Sequence, residues 1–151
     1  MSAEKFITHA YIPPSQSELL ANAALFRQKI DERRSVRYFS TRDVPRQVIE
    51  DIIMAASSAP SGAHKQPWTF CVVSNTALKE KIKQAAEKEE FDNYHGRMSD
   101  EWIKDLAVFE TDWHKEFLVD APWLIIVFKK AYNLEDGKKS KNYYVNESCG
   151  I

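Results

Sequence analysis

Ala59-Pro60-Ser61-Gly62-Ala63-His64-Lys65-Gln66-Pro67 leads directly into Trp68-Thr69-Phe70-Cys71-Val72-Val73-Ser74. The first half is a break and the second is a strand. Pro60 and Gly62 stop a preceding helix. Residues 68–74 are aromatic and β-branched, which favours a buried strand. Upstream, Asp43-Val44-Pro45 places Pro near a first helical turn, where its missing N–H costs nothing. Ile49, Ile52, Ile53 and Ala56 then mark the buried face of a helix over 45–58. Downstream, Asn75-Thr76 caps another helix, with Leu78, Ile82 and Ala86 inward. Its Lys- and Glu-rich outer face reads as solvated surface.

Working further out, residues 1–14 read as an extended arm ending in Pro13-Pro14. Ser15-Gln16-Ser17-Glu18 has the form of a capping box. Leu19, Ala23, Phe26 and Ile30 follow at helical spacing, which predicts an amphipathic helix over 15–32. Toward the other end, Ser99 opens a helix. Trp102, Leu106, Phe109, Trp113 and Phe117 recur at steps of three or four and read as a core stripe. Residues 122–128 (PWLIIVF) form a second buried strand, 137–141 a basic loop, and Tyr143 begins the approach to a further helix. Two strands alone rarely make a stable sheet. Cys149-Gly150-Ile151 also carries no helix-stop signal. The expectation is a domain incomplete at its C-terminal side.

Composition narrows the function. The chain has 151 residues, 44% apolar and 28% charged, which excludes disorder. Its 21 Lys and Arg against 22 Asp and Glu give no bulk attraction for nucleic acid or an acidic membrane. Two cysteines, Cys71 and Cys149, make neither a disulfide framework nor a four-ligand zinc site. Cys71 reads as a small core residue, and the four histidines lack metal-ligand spacing. No run approaches the roughly 18 apolar residues of a membrane span, and no signal peptide is legible. A cytoplasmic, reducing setting is expected.

Three sets of residues could carry chemistry. Arg33-Arg34-Ser35-Val36-Arg37 gathers three guanidiniums and a hydroxyl, which suits a phosphate dianion. From composition alone, a solvated basic patch is the stronger reading, because short basic patches are common. Ser61, Gly62 and Ala63 are small, so backbone amides there can approach a flat ligand, although an ordinary helix–strand turn looks the same. Glu90 and Tyr94 share a helical face, and with Lys115 they could hold an amino-acid zwitterion, Glu to the amine and Lys and Tyr to the carboxylate. Read plainly, they are three surface side chains.

Taken in this order, the sets resemble the FMN-dependent nitroreductase superfamily: a basic fingerprint, a Pro-Ser loop, then Pro-Trp before a strand. Ala59-Pro60-Ser61-Gly62-Ala63-His64 and Pro67-Trp68-Thr69-Phe70 are similar to its iodotyrosine deiodinase branch. So are Glu89-Glu90-Phe91-Asp92-Asn93-Tyr94, Arg97-Met98, Trp102 and Trp113-His114-Lys115-Glu116, which resemble that branch's substrate lid. General nitroreductases more often carry Asn where His64 stands. Lys65-Gln66 departs from the acidic residue expected before Pro67 and is more nitroreductase-like.

The resemblance covers most of 11–151 and implies an α+β fold, a mixed sheet flanked by helices in an intertwined homodimer. Residues 15–151 would form an FMN domain lacking its C-terminal part, including a flavin N5 partner. Arg33, Arg34, Ser35, Arg37, Ser61 and Gly62 would hold FMN. Ala63 would offer its amide to a substrate phenolate, and Glu90, Tyr94 and Lys115 would clamp a halotyrosine zwitterion. The implied reaction is reductive dehalogenation with electrons from NAD(P)H or a reductase. Two alternatives stay open: a general nitroreductase or flavin reductase, and a truncated product without activity.

Overall fold

The computed structural model describes residues 8–151, which fall into two compact units divided between Val36 and Arg37. Residues 1–7 of the expected arm lie outside the described residues, and 8–14 carry no helix or strand.

In the first unit, α1 (Gln16–Asp31) begins with the capping box read from the sequence. The Ser15 amide donates to Glu18 Oε2 at 2.8 Å, and the Glu18 amide donates to Ser15 Oγ at 3.3 Å. The Ser15 hydroxyl and amide hold the Glu18 carboxyl below its ordinary range. The apolar pattern is present, but no residue of α1 is buried, Phe26 being 68% exposed. A single helix has nothing within its own unit to pack on.

The second unit holds the remaining elements. These are α2 (Arg46–Ser57), β1 (Trp68–Val73), α3 (Thr76–Asp92), α4 (Asp100–Ala107), α5 (Phe117–Asp120), β2 (Leu124–Lys129), β3 (Tyr132–Glu135), β4 (Lys138–Lys141) and α6 (Val145–Gly150). The α+β expectation holds. Within the described residues the strands form two antiparallel pairs, β1 with β2 and β3 with β4. Trp68 faces Lys129 and Val73 faces Leu124. The pairing continues one step past the strand, where the Lys130 amide donates to Pro67 O at 2.9 Å.

Side-chain caps start two helices as expected. The Leu78 amide donates to Asn75 Oδ1 at 2.9 Å, and the Trp102 amide to Ser99 Oγ at 3.3 Å. Pro45 stands one place earlier than expected, as the N-cap of α2.

Several packing expectations are corrected. Ile49 is buried, but Ile52 and Ala56 are exposed. Cys71 is half-buried. Each strand is only partly covered: Val72, Ile125, Val127 and Phe128 are exposed, because β1 and β2 each have one described strand neighbour. On α3, Leu78 is exposed while Lys79 is buried, its ammonium donating to Val119 O at 2.8 Å and Ala121 O at 2.7 Å. The supposed core stripe spans several elements, since α4 stops at Ala107, and Trp102 and Phe109 are exposed.

The expected basic loop is instead a hairpin. Asp136 (φ 50°) and Gly137 (φ 74°) form a two-residue turn between β3 and β4. Positive φ at both central positions matches the twist of the flanking strands. Buried Asn142 closes its base by donating to Lys130 O at 2.9 Å.

Candidate functional site

The loop between α2 and β1 is shaped by its backbone. Ala63 (φ 50°), His64 (φ 53°) and Gln66 (φ 44°) all occupy the left-handed region. For residues with a Cβ this costs roughly 1–2 kcal/mol each. Local hydrogen bonds offset it: the His64 amide donates to Ser61 O at 3.0 Å, Lys65 to Gly62 O at 3.1 Å, and Gln66 to Ser61 Oγ at 2.9 Å. Fully buried Pro67 anchors the exit. Its carbonyl takes the Lys130 amide and, at 3.4 Å, the Cys149 thiol.

Gly62 is required by close approach. A Cβ there would lie 2.6 Å from Tyr144 Cδ2 and 3.3 Å from Tyr143 O. Its amide points to buried Ser148 Oγ at 3.4 Å. The described bonds therefore occupy the amides of Gly62, His64, Lys65, Gln66 and Trp68. The amide of exposed Ala63 is not among them.

A second constellation is built from side chains. Lys79, Lys83, Glu87, Glu90 and Tyr94 recur at steps of four, four, three and four, which is one face of a helix. α3 continues into a π-helical turn, Asn93–Arg97, that carries Tyr94 onward from this face. Opposite it, residues 111–116 have no helix or strand and lead into α5.

The two run antiparallel, joined contact by contact. Lys79 holds the carbonyls of Val119 and Ala121. Lys83 Nζ meets Glu116 Oε2 at 2.5 Å, and Glu87 Oε1 accepts the Lys115 amide at 2.8 Å. Glu90 Oε2 lies 3.6 Å from Lys115 Nζ, and the Tyr94 hydroxyl donates to Thr111 O at 3.2 Å. The structure thus brings Glu90 and Lys115 together and fastens Tyr94 to the start of the same segment. The Lys- and Glu-rich face expected to be mere solvated surface is in part this polar seam.

Further contacts brace it. Phe91 stacks on His95 at 3.8 Å and meets Trp113 edge-on at 5.4 Å, and Trp113 stacks on His114 at 3.7 Å. His114 donates its amide to Asp112 Oδ1 at 2.8 Å, and its Nδ1 lies 3.0 Å from Oδ2. These bonds hold the Asp112 carboxyl below its ordinary range. Glu116 raises the Lys83 ammonium above its ordinary range, and Glu89 does the same for Arg97. Sequence reading missed Lys79, Lys83 and Glu87. Their spacing from Glu90 and Tyr94 was the available signal.

The basic fingerprint is distributed over both units. In the first, Arg33, Arg34 and Ser35 are exposed. Arg34 folds back onto the carbonyls of Asp31 and Arg33 and so caps the end of α1. In the second, the Arg37 guanidinium lies 5.9 Å from the centre of the Phe117 ring. Among the described residues no cluster of His, Cys, Asp and Glu could hold a metal ion, and no helix is long and apolar enough to cross a membrane.

The chain as a whole is similar to known proteins. The Nitroreductase family profile matches residues 30–151. An iodotyrosine deiodinase of Haliscomenobacter hydrossis is 59% identical over 147 residues, covering 97% of this chain and 66% of its own length. One of Hydra vulgaris is 44% identical over 149 residues, covering 98% and 55%. The chain is similar, with a TM-score of 0.69 and 29% identity, to a crystal structure of oxidised iodotyrosine deiodinase bound to FMN and 3-iodo-L-tyrosine. That match covers 82% of this chain and 62% of the other. The chain spans 66% and 55% of the length of these two curated relatives.

Proposed function

Since the chain belongs to the Nitroreductase family, we propose that it serves FMN-dependent reductive dehalogenation of halotyrosines. Iodotyrosine, two electrons and a proton give tyrosine and iodide. The observation that carries this reading is the Glu90–Lys115 pair, 3.6 Å apart across the seam. A carboxylate facing an ammonium is a zwitterion site occupied by itself. The side chains are 33% and 19% exposed, and a partly solvated pair is worth at most about 1 kcal/mol. An amino acid can therefore replace it at little cost. Glu90 takes the ligand's ammonium, while Lys115 and the Tyr94 hydroxyl take its carboxylate.

The residues present suit FMN. The Ala63 amide, which none of the described bonds occupies, would be the donor for a phenolate oxygen. The donor set Arg33, Arg34, Ser35 and Arg37 is of the kind that binds phosphate, an assignment resting on their chemistry and the sequence resemblance. Ser61 and Gly62 hold the loop in shape. Reduced FMN, when bound, would supply the two electrons with which the carbon–iodine bond is cleaved to iodide, a proton completing the new carbon–hydrogen bond. We assign NAD(P)H, directly or through a reductase, as their source, a homodimer as the working form, and the cytoplasm as its place.

The test is to load the protein with FMN, desalt it, and titrate it with 3-iodotyrosine. The flavin band is retained, and iodide is released when a reductant is added. Lys115→Ala or Glu90→Gln lowers halotyrosine affinity at least tenfold, about 1.4 kcal/mol, while FMN stays bound. Equal loss of both ligands, or of neither, overturns the assignment. Gln66 favours a second reading, a general nitroreductase. Turnover of a nitroaromatic without any response to halotyrosine would establish that reading instead.

A further inference from the structure

Lys115 lies just before α5, its carbonyl accepting the Leu118 amide at 3.0 Å, in a stretch that itself has no helix or strand. Its side chain is secured locally, with Nζ donating to Asp112 O at 2.8 Å. Only one described contact ties its backbone to α3, the 2.8 Å bond from its amide to Glu87 Oε1. Glu87 is itself held: Lys83 Nζ lies 3.8 Å from its carboxylate and 2.5 Å from Glu116. Both side chains are largely sheltered, 16% exposed for Glu87 and 13% for Lys83. Lys83 thus stands between two carboxylates, one on its own helix and one on the segment opposite.

We propose that Glu87 is a positioning residue: it grips the Lys115 amide, with Lys83 as its counter-charge, and so sets the distance between Lys115 and Glu90. It touches no ligand. It determines how well the site distinguishes a zwitterionic halotyrosine from a halophenol of the same ring. This rests on the zwitterion reading above.

The physics favours control through the backbone. A lysine ammonium on a flexible four-carbon stem ranges more widely still if its own Cα moves. Fixing the Cα by a charge-assisted bond to the amide makes the clamp ready before ligand arrives. Glu90 and Glu87 lie one helical turn apart, so one rigid element sets both the receiving carboxylate and the grip on its partner.

Two measurements on the full chain test this. In the first, amide hydrogen exchange is read at Lys115 without any ligand. Protection falls at least tenfold in Glu87→Ala and is retained in Glu87→Gln, whose side-chain oxygen still accepts the bond. Unchanged protection in Glu87→Ala overturns the proposal. In the second, the FMN-loaded protein is titrated with 3-iodotyrosine and with 2-iodophenol. Glu87→Ala weakens iodotyrosine at least tenfold and leaves iodophenol within twofold, and Glu87→Gln recovers most of the loss. Equal weakening of both ligands overturns the specificity role. If the unmodified protein ignores iodotyrosine, the zwitterion reading fails and the specificity role falls with it. The exchange result still decides whether Glu87 positions Lys115.

Discussion

The loop over 61–67 and the seam between α3 and residues 111–121 solve the same problem by opposite means. Each must present polar groups outside regular secondary structure. The loop does so with backbone: three left-handed residues, short amide bonds and a glycine pressed against Tyr144. The seam does so with charged side chains reaching across to amides, carbonyls and one another. Backbone geometry is indifferent to salt and pH. Charge contacts are not, and at the Glu90–Lys115 end partial solvent access keeps them weak and exchangeable. A rigid donor suits one unchanging atom, whereas an exchangeable pair suits a ligand that must enter and leave.

The largest effect that would break this contrast lies at the buried end of the seam. Lys79→Met removes the ammonium from two carbonyls, and each stranded buried acceptor costs about 1–3 kcal/mol. Urea unfolding should show a loss on the order of 3 kcal/mol. A neutral result would mean that water replaces the ammonium and that the seam is wet throughout. Next comes the loop. Gly62→Ala places a Cβ against Tyr144, and overpacking of this kind costs about 1–3 kcal/mol. The expected loss is about 2 kcal/mol, unaltered by adding salt.

The smallest effect is a pH dependence confined to the seam. Asp112 has its carboxyl lowered by His114, so its contribution is present above the ordinary value of 3.8 and is lost as pH falls through the lower folded value. Amide protection at His114 should decline a few-fold across that acidic window, while Lys65 in the loop, bonded to a carbonyl, keeps its protection. Parallel decline at both positions would erase the distinction.

What could be read beforehand follows the same division. Ser15, Asn75 and Ser99 were legible as caps because a cap is decided within four consecutive residues. Residues 68–73 were legible as a strand from their side chains alone. Glu90, Tyr94 and Lys115 were legible as a set through resemblance. The left-handed φ of Ala63, His64 and Gln66 was not legible, since none of these residues favours it and the surrounding fold imposes it. Lys79 looked like its solvated neighbours, because its burial depends on two carbonyls forty and more residues away. The β3–β4 hairpin was hidden by its lysines, although Asp136-Gly137 is a turn signal in its own right. The apolar pattern of α1 was legible, yet no residue of the helix is buried.

The approach of Gly62 to Tyr144 also imposes an order of events on synthesis. Tyr143, Tyr144 and Ser148, which pack against Gly62 or accept its amide, are translated more than eighty residues later. At roughly 5–20 residues per second, the loop waits on the order of 4–16 s on the ribosome before its neighbours exist. During that interval its three left-handed residues have only local bonds to hold them. The loop therefore cannot gain these contacts until residues 143–148 have been made, and conditions that slow translation lengthen that interval.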